Sequence, residues 1–252
     1  MLASQRKQHL LEILRNEGRI EAKDVAGKLS LSEDTIRRDL RELASEGHLQ
    51  RVHGGALPAS KAMQNLHARQ SVSSDEKASI GHAAAALIAR GQVVFIDGGT
   101  TAVQLVRHLD PQLQATIVTH SPAIAMELID HQVDVHLIGG RLFKHSMVSV
   151  GSGAAEAIRR VRADAYFMGV TGIQAEIGLS TGDSEEAIIK RTIAETSAEV
   201  IVLGSSEKLG AASPFVVGSL DLASIVVVSD SSPQEAVRAL EGVGVDILVA
   251  GA

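Results

Sequence analysis

The stretch Ser32-Glu33-Asp34-Thr35-Ile36-Arg37-Arg38-Asp39-Leu40 constrains this chain more than any other. Ile36, Leu40 and Leu43 recur at helical spacing, so they share one buried stripe. At about 100° per residue, Arg38 and Arg41 fall on the opposite face, with Arg37 on the flank. Ser32 is placed to cap the helix, and Glu33 and Asp34 in the first turn suit its dipole. Arginines on such a helix can pair with guanine edges or with phosphates. The same pattern also fits a solvated face carrying both signs of charge.

The neighbouring residues separate these readings. Leu10, Leu11 and Leu14 indicate a first helix over about 5–16, ended by Gly18. Arg19-Ile20 reads as a short strand. Ala22, Val25, Ala26 and Leu29 give a second helix over about 21–29, and Leu31-Ser32 makes the turn. Gly47 closes the third helix. Leu49-Gln50-Arg51-Val52 and Ala56-Leu57 then flank His53-Gly54-Gly55, and a Gly-Gly pair between apolar runs signals a hairpin. Three helices and a hairpin make a winged helix-turn-helix, expected over residues 1–57. Ser32, Thr35, Arg37, Arg38 and Arg41 would face DNA from the recognition helix. Arg51 and His53 would lie on the wing, where contact with phosphate or the minor groove is natural.

A chain of 252 residues has room for a second domain with a sizeable core. Charge divides unevenly. Residues 1–57 hold ten Lys/Arg against nine Asp/Glu, and the remainder holds 14 against 21. A DNA surface must therefore be a local basic patch, because the whole chain, at net −6, repels polyanions. The absence of cysteine excludes disulfides, thiolate catalysis and Cys-based metal sites. Ten scattered histidines give no metal-binding pattern, so neither metal nor cofactor is expected. No run approaches the ~20 apolar residues of a membrane helix, and the polar start lacks a signal-peptide core, so a cytoplasmic location is expected. Aromatic residues make up only 2%, which argues against stacking on single-stranded nucleic acid.

Residues 58–74 read as a linker, and residues 75–252 as an α/β domain. Helical patterns at 78–89, 101–109, 122–129, 154–161, 185–197 and 233–240 alternate with apolar runs of strand type. Those runs fall at 93–96, 116–118, 133–138, 165–170, 200–203, 225–228 and 245–249. The alternation predicts a parallel-rich sheet covered on both faces. Ligands bind such sheets beyond the carboxyl ends of the strands. Polar and glycine clusters sit at those ends: Asp97-Gly98-Gly99-Thr100-Thr101, Thr119-His120-Ser121, Gly139-Gly140-Arg141 and Gly169-Val170-Thr171-Gly172. Glycines let a backbone approach an oxyanion, and hydroxyls with helix N–H groups bind it. Each cluster alone also fits a tight strand–helix turn.

Gly18-Arg19-Ile20, the Thr35-Ile36-Arg37-Arg38-Asp39-Leu40 core and Arg51-Val52-His53-Gly54-Gly55-Ala56 together resemble the N-terminal domain of the DeoR family of bacterial transcriptional regulators. The α/β region is similar to that family's effector domain, which resembles ribose-5-phosphate isomerase and CoA transferases. The resemblance implies an effector site at Asp97, Gly98, Gly99, Thr100 and Thr101, the phosphate-cradling loop. It adds His120, Ser121, Gly139, Gly140 and Arg141 along the site, and Lys190 and Lys208. The sequence departs from the family twice. His120 stands where asparagine is common, and Ser205 where the family usually carries aspartate in Asp-x-Ser-Lys.

Two functions follow. One is a repressor of sugar catabolism genes that binds double-stranded operator DNA and is switched by a phosphorylated sugar. The other is a sugar-phosphate isomerase or deaminase with an accessory DNA-binding domain. Enolisation needs a carboxylate base beside the substrate carbon; the isomerases that this domain resembles place acidic residues in the loop corresponding to Gly169–Gly172, which here has none, so the regulator is preferred and no catalytic residue is assigned. Symmetric half-sites predict a homodimer or homotetramer, joined through the α/β domain.

Overall fold

A computed structural model of the chain describes residues 2–63 and 71–251. Residues 64–70 of the expected linker lie outside the described residues. The N-terminal unit comprises α1 (Ala3–Glu17), β1 (Ile20–Glu21), α2 (Ala22–Leu29), α3 (Glu33–Ser45), β2 (Leu49–Val52) and β3 (Gly55–Pro58). The strands form one antiparallel sheet in the order β1-β3-β2, so the wing is anchored on the residues that precede α2. Leu10, Leu14, Val25, Ile36, Leu40, Leu43 and Leu49 share the core beneath it. Arg6 on α1 and Asp39 on α3 are buried in that core as a two-pronged ion pair. The apolar stripe of α3 therefore carries one charge, and its partner comes from another helix.

The second unit is built on a sheet whose order is β15-β14-β12-β9-β4-β5-β6. Its strands are β4 (Val93–Ile96), β5 (Thr116–Thr119), β6 (Asp134–Leu137), β9 (Ala163–Met168), β12 (Ser197–Leu203), β14 (Ile225–Ser229) and β15 (Asp246–Ala250). Every pairing in it is parallel. Helices α4 (Ser74–Ala85), α5 (Thr100–Arg107) and α6 (Pro122–Glu127) supply the core on one face. Helices α7 (Ser152–Ile158), α8 (Ser184–Glu195) and α9 (Gln234–Glu241) supply it on the other. Burial on both faces explains the apolar runs of the inner strands, whereas the edge strand β6 is mostly exposed. From β4 the chain winds outward to β6, then returns to β9 beside β4 and winds the other way. The switch point lies between β4 and β9, where such sheets open a crevice.

Several elements differ from the sequence reading. Helix α4 begins at Ser74, not Ala78, because Asp75 and Glu76 form its acidic first turn. It ends at Ala85 rather than Ala89. Strands β7 (Arg141–Phe143) and β8 (Val148–Val150) form a hairpin where only a loop was expected. β10 (Gly172–Gln174), β11 (Gly178–Thr181) and β13 (Phe215–Gly218) form a small antiparallel sheet. Both insertions stand over the carboxyl ends of the parallel strands and wall the crevice.

Candidate functional site

The N-terminal face presents its basic residues on two elements. Ser32 caps α3 by accepting the Thr35 N–H at 3.2 Å, and the two hydroxyls meet at 2.8 Å. Arg37 is held by Glu33 one turn back, at 2.6 Å. Arg38 is 71% exposed at its side chain, with Glu42 at 3.9 Å. Arg41 is also exposed. Arg51 on β2 and His53 at the hairpin turn are exposed beside them. Arg37, Arg51 and His53 line a single notch of about 210 Å³ between α3 and the wing. Arg37, Arg51 and His53 therefore meet in one notch, where Glu33 holds the Arg37 guanidinium.

At the switch point, Asp97 follows β4 and is fully buried. Its Oδ1 accepts from the Gly98 N–H at 2.7 Å and from His120 Nε2 at 2.8 Å. Its Oδ2 accepts from Lys190 Nζ at 2.6 Å, and from Tyr166 Oη and the Gly169 N–H at 2.9 Å each. Burial pushes the Asp97 carboxyl up, but Lys190 and His120 outweigh it and hold the group well below the usual carboxylate range. Burial likewise pulls the Lys190 ammonium down, while Asp97 and Glu186 prevail and raise it. Glycine is required where β4 and β9 end together. A Cβ on Gly98 would meet Val148 at 2.4 Å, and one on Gly169 would meet the Gly98 carbonyl at 2.9 Å.

Above this layer lies a small cavity of about 20 Å³, lined by Gly98, Gly99, Thr100, Thr101, Lys190 and Lys208 among others. Lys208 Nζ donates to the Leu203 carbonyl at 2.9 Å and to Thr101 Oγ1 at 3.2 Å. The first turn of α5 thus faces a buried ammonium, an arrangement suited to an anion.

Other expected residues stand outside the lining. Asp97 and His120 lie one layer down. His120 is fully buried, spanning from Asp97 to the Ser149 carbonyl at 3.0 Å, so neither ring nitrogen is offered to a ligand. Ser121 is buried and donates to the Met147 carbonyl at 3.2 Å. Gly139, Gly140 and Arg141 are exposed, and Arg141 pairs with Glu185 at the surface.

The structure adds residues that the sequence reading missed. Glu186 turns inward from α8 to Lys190 at 3.3 Å and to Thr181 at 3.1 Å, whereas Asp183 caps the helix. The Glu186–Lys190 spacing of four was the signal. Tyr166, the single tyrosine of the chain, sits in the buried half of β9, between Ala165 and Phe167. Glu207 and Ala62 also line the cavity, and Ala62 reaches it from the segment that leaves β3. Among the described residues, no group of His, Asp or Glu is placed to hold a metal ion.

A family model described as a DeoR-like helix-turn-helix domain matches residues 6–62, and one described as a DeoR C-terminal sensor domain matches residues 72–230. The HTH-type transcriptional regulator GlpR of Haloferax volcanii is 31% identical over 250 residues, covering 98% of each chain. The glycerol-3-phosphate regulon repressor of Escherichia coli K12 is 29% identical over 242 residues, covering 95% of this chain and 96% of its own. Among solved structures, ribose 5-phosphate isomerase A of Methanocaldococcus jannaschii aligns over 54% of each chain, with a TM-score of 0.41 and 16% identity.

Proposed function

Because the chain belongs to the DeoR family of transcriptional regulators, we propose that α3 and the wing read its operator and that a phosphorylated sugar or polyol, bound at the first turn of α5, sets its affinity for that operator. Its function is transcriptional regulation through DNA, not catalysis. The observation that carries the effector reading is the cavity at the switch point. It joins glycine backbone, two threonine hydroxyls, a helix start and the buried Lys208 ammonium, which is what a phosphate monoester needs. The E. coli relative, a repressor, has glycerol 3-phosphate in its name, which supports both the ligand class and the sense of regulation.

Two buried carboxylates at the site, Asp97 and Glu207, are poor bases, which disfavours an isomerase. Asp97 accepts five hydrogen bonds and is held in its ionised form. Burial pushes the Glu207 carboxyl up, but Lys208 and Lys77 hold it below the usual range, the wrong direction for proton abstraction.

The connector supplies a route from ligand to DNA. The cavity has room for about one water, so a sugar phosphate enters only if its roof moves. Ala62 forms part of that roof and is 1% exposed. Ser60 Oγ donates to the Glu207 carbonyl at 3.4 Å, and the Ala212 N–H donates to the Pro58 carbonyl at 3.3 Å. Ligand entry therefore shifts the strap that carries the winged helix. A homodimer or homotetramer reads paired half-sites. The exposed Met126, Ile129, Leu137 and Leu142, gathered around the β6 edge of the sheet, support self-association there. Light scattering at micromolar concentration should give at least a dimer. A regulator of transcription acts where the DNA is, which supports a cytoplasmic location.

The test begins with an operator selected from random duplexes by the full chain. Titration with phosphorylated sugars should change operator affinity by about 5–150-fold for the wild type. Thr101→Val should bind the operator normally and fail to respond. A wild type indifferent to every phosphorylated sugar and polyol would overturn the effector reading.

A further inference from the structure

Glu207 is the acid that the cavity leaves half used. It sits on the 3-10 turn Ser206–Lys208, with its side chain only 5% exposed. Glu76 on α4 fixes this turn by accepting the Ser206 N–H at 2.8 Å. Glu207 Oε1 accepts from Ser205 Oγ at 2.9 Å and pairs with Lys77 Nζ at 3.1 Å. Oε2 is buried and has no hydrogen-bond partner among the described residues. The residue lines the same cavity as Thr101, Lys190 and Lys208. A buried anionic oxygen without a donor is unfavourable, and folded proteins seldom retain one unless a partner arrives from elsewhere.

We propose that Glu207 Oε2 accepts a hydrogen bond from a hydroxyl on the carbon chain of the effector, and that this contact selects a polyol or sugar phosphate over a phosphate ester without that hydroxyl. The proposal rests on the phosphate-site reading above. Lys77 already supplies the countercharge at Oε1, so Oε2 lacks a hydrogen rather than a positive charge. A neutral hydroxyl meets that need, and a second cation beside Lys77 and Lys208 does not. The charges also orient the ligand. The Glu207 carboxylate repels a phosphate, while Lys208 and the start of α5 attract it. The phosphate then lies at Gly99-Thr100-Thr101, and the hydroxylated carbons point toward the 206–208 turn.

Isothermal titration of the full chain with glycerol 3-phosphate, glucose 6-phosphate and n-propyl phosphate tests this, since n-propyl phosphate keeps the monoester and carries no hydroxyl. The wild type should favour at least one hydroxylated ligand by about tenfold or more, as expected for a hydrogen bond to a charged acceptor. In Glu207→Gln the amide carbonyl stays toward Lys77, and a neutral NH2 group replaces the charged acceptor Oε2, leaving at most a weaker neutral bond donated to the hydroxyl oxygen. That variant should lose the preference and keep its affinity for n-propyl phosphate. Glu207→Ala, checked for an intact thermal transition, should behave in the same way. If both variants retain the wild-type preference, or the wild type binds all three esters equally, the Glu207 contact is wrong and the phosphate site stands. If the variants also lose n-propyl phosphate, Glu207 supports the loop rather than the hydroxyl, and the proposal fails. If the wild type binds none of the three, the proposal fails together with the phosphate site.

Discussion

Asp97 shows how much of a site a single carboxylate can organise. Its five donors come from β9, α8 and the loops after β4, β5 and β9, so it ties both sides of the switch point to one atom pair. Asp97→Asn puts an N–H2 group against donors and leaves Lys190 with Glu186 alone. We expect a loss of about 3–5 kcal/mol of stability, the usual cost of breaking a buried ion pair. The pH dependence follows from the directions of the shifts. The folded Asp97 carboxyl lies below its unfolded value of about 3.9, so its contribution is complete above that pH and is lost as pH falls toward the folded value. The folded Lys190 ammonium lies above its unfolded value of about 10.4, so its contribution is complete below that pH and is lost as pH rises through the folded value. Denaturant unfolding should show a wild-type advantage over Asp97→Asn that is flat from about pH 5 to 9 and shrinks below about pH 4. A gap independent of pH would show that Asp97 acts through shape alone. The Asp97–Thr101 loop was legible in the sequence because glycine and threonine follow an apolar run. The roles of His120 and Glu207 were not. Sequence places His120 at a strand end but cannot say whether its ring points up to a ligand or down to Asp97. Ser205 reads as a lost acid, yet its hydroxyl holds the carboxylate of Glu207, two residues on.

The winged unit was legible element by element, because each helix carries its own apolar stripe, Ser32 caps α3, and glycines follow α1 and α3. The pairing of β1 with β3 was harder to see, since two residues carry no period. It has a sharp consequence at Gly55. A Cβ there would meet the Ile20 carbonyl oxygen at 1.7 Å, so the two strands can approach only with glycine at this position. Gly55→Ala should detach the wing from β1 and abolish operator binding while the sensor domain keeps its thermal transition. Retained operator affinity would show that the wing is dispensable. With the wing in place, we expect Arg51 to clamp phosphate from the notch it shares with Arg37 and His53. Arg51→Ala should lower the salt slope of DNA binding by about one unit for all sequences alike. A sequence-selective loss with an unchanged slope would make Arg51 a base reader. In the sensor domain, the parallel strands were legible as apolar runs. The antiparallel pieces β7, β8, β10, β11 and β13 were not. They are three or four residues long, too short to show a period, and only β11 and β13 pair across a long stretch of sequence.

At the scale of the molecule, one short strap belongs to both functional regions. Residues 59–63 leave the wing strand β3 and run across the sensor cavity. Ala59 bridges to Ala212 in parallel fashion, Ala62 lines the cavity, and Met63 packs on Gly182 and approaches Thr171 Oγ1 at 3.8 Å. Arg19 and Glu176 add an exposed ion pair at 2.7 Å between the units, and exposed pairs contribute little. Among the described residues, the strap is therefore the connection through which we expect a ligand to act. A ligand shifts an equilibrium only by its differential affinity for the two states, and here it must bind the state in which the roof has moved. Ala62→Phe tests this directly, because a large side chain on the roof points into space of only about 20 Å³. If the strap is displaced by the added bulk, as by a ligand, the variant should show the ligand-bound affinity for operator without any ligand. Further addition of a sugar phosphate should change little. Amide exchange across residues 59–63 should accelerate in the variant, and in the wild type only when ligand is added. If Ala62→Phe binds operator and responds to ligand as the wild type does, the strap is a passive tether, and the coupling must run by another route.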